Sequence, residues 1–308
     1  MPGIEEIKWT SCNLGDFMNI KNAQTVKQKL LNKELLSMPG IFDMISAKIA
    51  DQFDFDCLYM TGYGAVSSLL GLPDAGLATY TDMVGRVKQI TTITNTPLIA
   101  DADTGYGGLL NVEHTVRGYE DAGAIGLQLE DQEFPKKCGH VDAKRPIIDL
   151  DDAVNKIKVA AASRSTDDFL IVARTDAYSD YGFKEALRRA SAYDKAGADI
   201  LFIEGPESID EMKEITRSFD KPILVNMADG GRTPILSASE LQEIGFAAAI
   251  FPATGFLAAG EALRQSYQYL FENKTSKGID VPMHDFKEFS NLMGFDHVAE
   301  FEKKWASD

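Results

Sequence analysis

Eight short apolar runs recur along the chain, and amphipathic segments lie between them. The runs occupy residues 36–42, 57–60, 97–100, 125–129, 169–173, 199–203, 222–225 and 247–251. Intervening segments such as residues 80–94, 151–164 and 184–195 carry apolar side chains at helical spacing. Buried parallel strands read as continuous apolar runs, and eight of them alternating with helices are typical of a closed barrel. The pattern therefore predicts the α/β class and a (β/α)8 TIM barrel.

A short internal repeat supports this architecture. The residues Asp121-Ala122-Gly123-Ala124 precede the fourth run, and the similar residues Lys195-Ala196-Gly197-Ala198 precede the sixth. Each Gly fits the left-handed turn that ends a helix, and the interval corresponds to two strand–helix units. Because Ala-Gly-Ala is common at helix ends, the repeat corroborates the barrel and does not carry the prediction alone.

The segments before and after the predicted barrel strands have patterns of their own. We predict an N-terminal leader over residues 1–25, partly disordered, and a single barrel domain over residues 26–308 that includes a C-terminal helical extension. Residues 255–272 read as a helix, and residues 283–305 form a second amphipathic stretch. The apolar face of this extension needs a cover. Its own barrel or a neighbouring subunit would supply one, and we favour an oligomer.

Charge limits the expected partners. The formal net charge is -16 and the pI is near 4.7. Such a chain repels phosphate backbones and anionic lipid, so we expect neither nucleic acid nor a membrane surface as a partner. A protein this acidic that handles an anionic substrate must concentrate positive charge or a metal ion inside a pocket.

Cysteine usage and hydropathy indicate a cytoplasmic protein. Cys12, Cys57 and Cys138 are too few for a disulfide framework, which favours a reducing compartment. Residues 1–25 lack the basic start and apolar core of a secretory signal. The longest uncharged stretch, residues 245–260, contains Pro252 and falls short of the roughly 20 residues that span a bilayer.

Polar residues follow seven of the eight apolar runs. The residues just past the runs are Asp43, Thr61, Asp101, Glu130, Arg174, Glu204, Asn226 and, as the exception, Pro252. In a (β/α)8 barrel the carboxyl ends of the strands form the active-site face, so we expect these side chains to converge on one mouth. Any strand must end near polar residues, but four acids, an Arg and an Asn at equivalent positions favour a site.

The acids after the third and fourth runs suit a hard cation. Magnesium prefers a few carboxylates with retained waters and substrate oxygens. We expect Asp101 as a direct ligand, with Asp103 and Glu130 acting through water, and Mn²⁺ as an alternative metal. An Asp-x-Asp pair also caps helices or forms turns, so this pair alone is weak evidence.

The loop after the fourth run contains Lys136-Lys137-Cys138-Gly139-His140. Two Lys and a His beside a Cys favour the thiolate and make Cys138 a ready proton donor or acceptor, while Gly139 permits movement. Without the barrel context, the simpler interpretation is favoured, in which Cys138 is a small buried side chain and the Lys pair belongs to a solvated loop. No second Cys or His lies at zinc-ligand spacing.

Neutral and cationic donors complete the expected site. Arg174 can bind a substrate carboxylate through two parallel hydrogen bonds. It can also pair with Glu204 or Asp176, and it can do both at once because the guanidinium has five donors. Asn226 and Thr233 add neutral donors. Residues 229–231 lack the Lys-Ser/Thr of a P-loop, so we do not predict nucleotide binding.

These motifs together resemble the isocitrate lyase and phosphoenolpyruvate mutase superfamily. The likeness covers residues 26–278 and is carried by residues 59–64, 71–74, 101–107, 130–132, 136–140, 173–177 and 222–226. The resemblance implies a homotetramer that exchanges its eighth helix between subunits, a bound Mg²⁺, and a gating loop that carries Cys138 over the closed site.

The resemblance also implies residue roles. Catalytic roles fall on Cys138, Lys136, His140, Tyr59, Arg174 and Glu204. Substrate binding falls on Thr61, Gly62, Tyr63, Asp74, Gly139, Arg174, Asn226 and Thr233. The implied reaction is a retro-aldol cleavage in which Cys138 protonates the departing carbon.

Three positions separate the branches of this superfamily. Phosphonomutases have an Asn-containing loop in place of Cys138-Gly139-His140, so phosphorus–carbon chemistry is disfavoured. Methylisocitrate lyases have Arg where this chain has Leu257, which weakens the case for a third carboxylate. Oxaloacetate hydrolases tend to have Ser where this chain has Pro252.

The sequence therefore favours one activity over three others. We predict a Mg-dependent carbon–carbon lyase that acts on a substituted malate such as 2,3-dimethylmalate. The alternatives are a methylisocitrate lyase, an oxaloacetate acetylhydrolase, and a catalytically silent barrel used for binding or assembly. The silent barrel is disfavoured because the acids, Arg174 and Cys138 occur together.

Overall fold

Eight parallel strands form a closed barrel in chain order in the computed structural model, which describes residues 23–138 and 144–306. Each strand pairs with the next, and β8 closes on β1 with Leu36 opposite Ala248. The strands are β1 Leu36–Ile41, β2 Leu58–Met60, β3 Leu98–Asp101, β4 Gly126–Glu130, β5 Leu170–Thr175, β6 Ile200–Ile203, β7 Ile223–Asn226 and β8 Ala248–Phe251. The predicted TIM barrel is confirmed, and each strand lies within or beside its apolar run.

Helices separate the strands and surround the barrel. They are α1 (described over residues 23–31), α2 Met44–Ala50, α3 Gly62–Leu70, α4 Tyr80–Ile93, α5 Leu109–Asp121, α6 Leu150–Ser163, α7 Ala177–Tyr181, α8 Phe183–Ala196, α9 Ile209–Ser218, α10 Ala238–Ile244, α11 Thr254–Asn273, α12 Phe286–Leu292 and α13 Phe295–Trp305. The stretch 283–305, which reads as one amphipathic segment, forms two helices because Gly294 lies between them in the left-handed region at φ 102°.

Side chains that alternate along the strands fill two separate cores. On β5, Leu170 and Val172 belong to the cluster inside the barrel, whereas Ile171 and Ala173 belong to the cluster between sheet and helices. Successive side chains on a strand point to opposite faces, so a strand buried on both faces must be apolar throughout. The continuous apolar runs of the sequence follow from this double burial.

The two repeated glycines end helices as expected. Gly123 has φ 96° after α5, and Gly197 has φ 106° after α8. Both values lie in the left-handed region that L side chains adopt only at a cost, so Gly terminates each helix and turns the chain into the next strand.

The C-terminal helices leave apolar side chains uncovered in the single chain. None of the residues of α11, α12 and α13 is buried, and Phe271 and Phe286 are 75% and 86% exposed. No helix among the described residues is long and apolar enough to cross a membrane. At the other end, residues 1–22 of the predicted leader lie outside the described residues, and Val26 and Leu30 of α1 pack into the core.

Candidate active site

A cavity of about 180 Å³ opens at the carboxyl ends of the strands. Its polar lining consists of Tyr59, Thr61, Tyr63, Asp74, Asp101, Glu130, Lys136, Lys137, Cys138, Arg174, Asn226 and Asp229. Five of the seven polar residues that follow the apolar runs are in this set. The expected convergence at one mouth is therefore observed, since parallel strands in a barrel bring their carboxyl ends together.

Four expected members do not line the cavity; one of them, Asp103, is buried in the acidic cluster described below, and the other three lie elsewhere. Asp43 is the N-cap of α2 and accepts the N–H of Ser46 at 2.7 Å, so the expectation that it joins the mouth is wrong. A strand that runs directly into a helix uses its first polar residue as a cap. Glu204 is buried behind the lining and accepts from Asn226 Nδ2 at 3.2 Å. Thr233 is buried without lining the cavity.

The expected metal ligands form a buried acidic cluster. Asp101, Asp103 and Glu130 are 6%, 4% and 4% exposed. Oδ1 of Asp101 accepts the backbone N–H of Asp103 at 3.1 Å, which fixes the turn that follows β3. Gly62 lies so close that a Cβ there would be 2.4 Å from Oδ2 of Asp101. The first turn of α3 can approach this carboxylate only because residue 62 is Gly.

Burial makes the charged form of these acids costly. It raises the pKa of Asp101, raises the pKa of Asp103 to about 6, and raises the pKa of Glu130 well above its ordinary value. Ionised carboxylates in such a place require nearby positive charge. Lys136 and Arg174 supply part of it, and they lower the pKa that burial would otherwise impose on Asp101.

Lys136 connects two of the loops around the cavity. Its Nζ lies 2.7 Å from Oδ1 of Asp74 and 2.8 Å from Oδ1 of Asp103. Burial acts to lower the pKa of Lys136, but Asp103, Glu130 and Asp74 hold it well above its ordinary value. The sequence predicted that this Lys makes the surroundings of Cys138 basic. The structure instead shows its charge paired with two buried carboxylates.

Cys138 lies at the cavity and is held there by a backbone hydrogen bond to residue 74. Its N–H donates to the carbonyl oxygen of Asp74 at 3.2 Å, and its half-buried side chain lines the cavity as a thiol that is not part of a disulfide. Lys136 and Cys138 thus both hold the loop after β4 against residue 74. Gly139 and His140, to which the sequence assigned binding and catalytic roles, lie outside the described residues.

Arg174 presents a guanidinium that is held by acids and faces the cavity. Its Nε and Nη2 donate to the two carboxylate oxygens of Asp176 at 2.9 Å each. Glu130 Oε2 and Glu204 Oε2 lie 3.4 and 3.3 Å from it, and its Cζ stacks 5.1 Å from the centre of the Phe202 ring. Pairing with Asp176 and Glu204 is therefore observed together with a place in the cavity wall, and a carboxylate ligand would meet a rigid cation.

Tyr59 is a donor in this site. Its hydroxyl donates to Oε1 of Gln128 at 2.9 Å, and burial, with Asp101 adding to it, raises the pKa of Tyr59 well above its ordinary value. The phenol therefore keeps its proton at neutral pH. Gln128 was missed by sequence reasoning, although a polar residue inside the otherwise apolar run 125–129 was a visible signal.

An apolar wall faces the charged side. It consists of Ile250, Pro252, Ala253, Phe256 and Leu257, at the end of β8 and the start of α11. The Phe256 ring lies 5.3 Å from that of Tyr63. Phe256 was also missed, because a single aromatic residue in a helical stretch carries no signal of its own.

The acidic cluster fits a divalent cation. Among the residues described, the buried acids of the site outnumber its buried bases; the acids are Asp74, Asp101, Asp103, Glu130, Asp176 and Glu204, and the bases are Lys136, Arg145 and Arg174. Oε1 of Glu130 is buried without a hydrogen-bond partner. Within the described ranges no three His, Cys, Asp or Glu side chains are grouped to hold a metal by themselves. Magnesium commonly binds through one or two carboxylates and completes its shell with water and substrate oxygens.

Comparison with known proteins gives one consistent relationship. A family model described as phosphoenolpyruvate phosphomutase matches residues 27–271. The chain is 43% identical to 2,3-dimethylmalate lyase of Eubacterium barkeri, over 94% of this chain and 99% of that protein. It is 38% identical to a 2-methylisocitrate lyase of Aeropyrum pernix, over 91% of this chain and 88% of that protein.

Solved structures agree with the sequence relatives. Oxaloacetate acetylhydrolase in complex with 3,3-difluorooxalacetate superposes with a TM-score of 0.87 at 31% identity, over 94% of this chain and 98% of that chain. A crystal structure of 2,3-dimethylmalate lyase, described as a member of the PEP mutase/isocitrate lyase superfamily, superposes with a TM-score of 0.86 at 34% identity, over 93% and 96%.

Proposed function

The chain belongs to the phosphoenolpyruvate phosphomutase family and is a carbon–carbon lyase, and from this membership we propose that it cleaves a substituted malate. The proposed substrate is a 2-hydroxy dicarboxylate with alkyl branches, such as 2,3-dimethylmalate. The products are a 2-oxo acid and a monocarboxylate. The proposal is supported by the 43% identity to 2,3-dimethylmalate lyase over nearly the full length of both chains.

One observation carries the choice of substrate. The cavity has a charged side, where Arg174 and the acidic cluster lie, and an apolar wall that includes Leu257 at 49% exposure. Arg174 is the only arginine among the described lining residues. A third carboxylate against the apolar wall would lose hydration without gaining a cation, whereas an alkyl branch gains from burial there.

Metal binding belongs to the same proposal. Mg²⁺, or Mn²⁺ in its place, would be held by Asp101, with Asp103 and Glu130 acting through water. When bound, the ion supplies positive charge that polarises the hydroxyl and carboxylate oxygens of the substrate. Arg174 binds a carboxylate through its fork and keeps it oriented through its contacts with Asp176.

Cleavage then follows from the groups around the cavity. A base beside Tyr59 takes the hydroxyl proton, C2 becomes the carbonyl carbon of the 2-oxo acid, and the bond between C2 and C3 breaks. Its electron pair passes to C3 and the attached carboxylate. The thiol of Cys138 donates a proton to C3, which completes the monocarboxylate, while Arg174 and His140 stabilise the anionic carboxylate.

A substrate panel tests this function. Release of the 2-oxo acid from 2,3-dimethylmalate, other alkylmalates and methylisocitrate, and of oxalate from oxaloacetate, is measured in the presence and absence of EDTA. We expect alkylmalates to give the highest kcat/KM and EDTA to abolish turnover until Mg²⁺ is restored. Turnover of none of these acids would overturn the enzyme proposal and leave the silent barrel.

Oxaloacetate hydrolysis is the second candidate. The TM-score of 0.87 with an oxaloacetate acetylhydrolase favours it, because the two barrels share their architecture throughout. Pro252 in the cavity wall disfavours it, since oxaloacetate hydrolases tend to have Ser at this position and a Pro side chain offers no hydrogen bond there. Formation of oxalate from oxaloacetate in the same panel distinguishes the two activities.

We also propose a homotetramer in the cytoplasm. The exposed apolar side chains of α11, α12 and α13 support an assembly in which these helices pack on neighbouring subunits, with α11 as the exchanged eighth helix. The two cysteines in the described part of the chain, Cys57 and Cys138, form no disulfide, as suits a reducing compartment.

A further inference from the structure

Asp131, the first residue after β4, has a buried carboxylate that binds four donors. Its Oδ1 accepts the backbone N–H of Asp176 at 2.9 Å. Its Oδ2 accepts from the hydroxyls of Thr175 and Tyr193, both at 2.7 Å, and from Nη1 of Arg189 at 3.1 Å. The side chain is 2% exposed and does not line the substrate cavity. A carboxylate this saturated is fixed in position.

These bonds lead from Asp131 to the cavity. The N–H of Asp176 and the hydroxyl of Thr175 both belong to the turn that joins β5 to α7. The Thr175 hydroxyl also accepts the N–H of Ala177 at 3.2 Å, which tightens that turn. From this turn the carboxylate of Asp176 grips Arg174 with two hydrogen bonds of 2.9 Å, and Arg174 faces the cavity.

The charge on Asp131 is balanced away from the cavity. Arg189 and Tyr193 lie one turn apart on α8, and Arg189 also donates to the carbonyl oxygen of Ile148 at 2.8 Å. Removing a partner from a buried ion pair leaves an unpaired charge, so neither group can shift independently. Asp131 and its partners therefore fix the β5–α7 turn relative to the end of β4 and the inner face of α8.

We propose that Asp131 is a positioning residue for Arg174. It holds the turn after β5 so that Asp176, and through it the guanidinium of Arg174, is already oriented for a ligand carboxylate. The inference rests on the proposed function only in taking Arg174 to bind that carboxylate. Asp131 itself touches no substrate, and its effect passes entirely through the turn.

A double-mutant cycle on ligand binding tests this positioning role of Asp131. Isothermal titration of oxalate in saturating Mg²⁺ is measured for the wild type, Asp131→Asn, Arg174→Lys and the double variant. Losing one hydrogen bond to a charged group corresponds to roughly a tenfold loss of affinity. We expect Asp131→Asn to lower the affinity for oxalate about tenfold in the wild type. In the Arg174→Lys background the loss should be less than about twofold, because there is then no guanidinium for Asp131 to orient.

Asp199→Asn is a matched control at the opposite end of β5. Oδ2 of Asp199 also accepts from an arginine, Arg164 Nη1 at 2.5 Å, and from a backbone N–H, that of Ile171 at 2.9 Å. It lies away from the cavity, so oxalate affinity should be unchanged. If Asp131→Asn does not fold, Thr175→Val is the alternative variant. It replaces only the hydroxyl with a methyl group and should lower the affinity for oxalate about threefold.

Several results would overturn the proposed positioning role of Asp131. They are unchanged oxalate affinity in Asp131→Asn or in Thr175→Val, equal losses in both Arg174 backgrounds, or no oxalate binding by the wild type. The substrate panel is a separate measurement. Equal losses in an enzyme that does cleave alkylmalates would remove the positioning role and leave the proposed function intact.

Discussion

Lys136 and Cys138 are two residues apart in one loop, and the structure gives them different surroundings. Lys136 is 3% exposed and paired with Asp74 and Asp103, whereas Cys138 is half-buried at the cavity. The sequence grouped them as one basic neighbourhood. A pair of lysines in sequence does not reveal which ammonium finds carboxylates, because those carboxylates belong to other loops.

Replacing Cys138 tests the proton donor. We expect Cys138→Ser to lower kcat at least about 100-fold, because a serine hydroxyl is a much weaker acid than a thiol and general acid catalysis contributes on this scale. Binding of Mg²⁺ and pyruvate should persist. Cys57→Ala, at a buried thiol outside the cavity, is the matched control and should retain activity. Full activity in Cys138→Ser would remove Cys138 from the reaction.

Replacing Lys136 tests the buried ion pairs. Lys136→Met leaves Asp74 and Asp103 without their shared cation, and we expect the free energy of unfolding to fall by about 3 kcal/mol. Lys137→Met, at the exposed neighbouring lysine, should change it by less than about 0.5 kcal/mol. Urea denaturation measures both. Equal stabilities would show that Lys136 contributes no more than a surface lysine.

At the scale of elements, the starts of α3 and α11 shape the cavity. Gly62 allows α3 to approach Asp101, and Leu257 places an apolar side chain in the wall from α11. Helix positions were read well from sequence: the segments 80–94 and 184–195 correspond to Tyr80–Ile93 and Phe183–Ala196. The close approach of Gly62 was not, since it depends on where β3 lies beside α3.

Gly62→Ala tests the contact between α3 and the acidic cluster. The new Cβ would lie 2.4 Å from Oδ2 of Asp101, so this carboxylate must move. We expect Mg²⁺ affinity, measured from the Mg²⁺ dependence of activity, to fall about tenfold or more. Gly85→Ala in α4 meets nothing within 4 Å, and it should keep Mg²⁺ affinity and gain up to about 1 kcal/mol of stability. Equal Mg²⁺ affinities would contradict the role given to Gly62.

Leu257→Arg tests the apolar wall. An added cation there should raise the kcat/KM ratio of methylisocitrate to 2,3-dimethylmalate by about tenfold, because a third carboxylate gains a partner. Ile45→Arg introduces the same charge on α2 at a similarly exposed position outside the cavity, 47% against 49%, and should leave the ratio unchanged. An unchanged ratio in Leu257→Arg would mean that this wall does not select the substrate.

At the scale of the whole molecule, the C-terminal helices are the part that a single chain leaves incomplete. Phe286, Phe295, Phe301 and Trp305 are all more than half exposed. We expect light scattering after gel filtration to give a multiple of 33.8 kDa at micromolar concentration, and truncation after Gly278 to reduce it. A stable full-length monomer would contradict the proposed assembly.

The barrel, the order of its strands, most of the strand-end residues of the site and Cys138 could all be predicted from the amino-acid sequence alone. These follow from local patterns, because a strand buried on both faces must be apolar along its length and must end at the mouth. Three features required the folded structure: the pairing of Lys136 with Asp74 and Asp103, the cap that Asp43 forms on a helix, and the hydrogen bonds of Asp131 to Thr175 and Asp176. The contacts of Lys136 and Asp131 join residues that are far apart in the chain, and local periodicity does not contain distances across the barrel. Asp43 and Ser46 are only three residues apart, but periodicity does not show whether the Asp43 side chain turns toward the helix or toward the mouth.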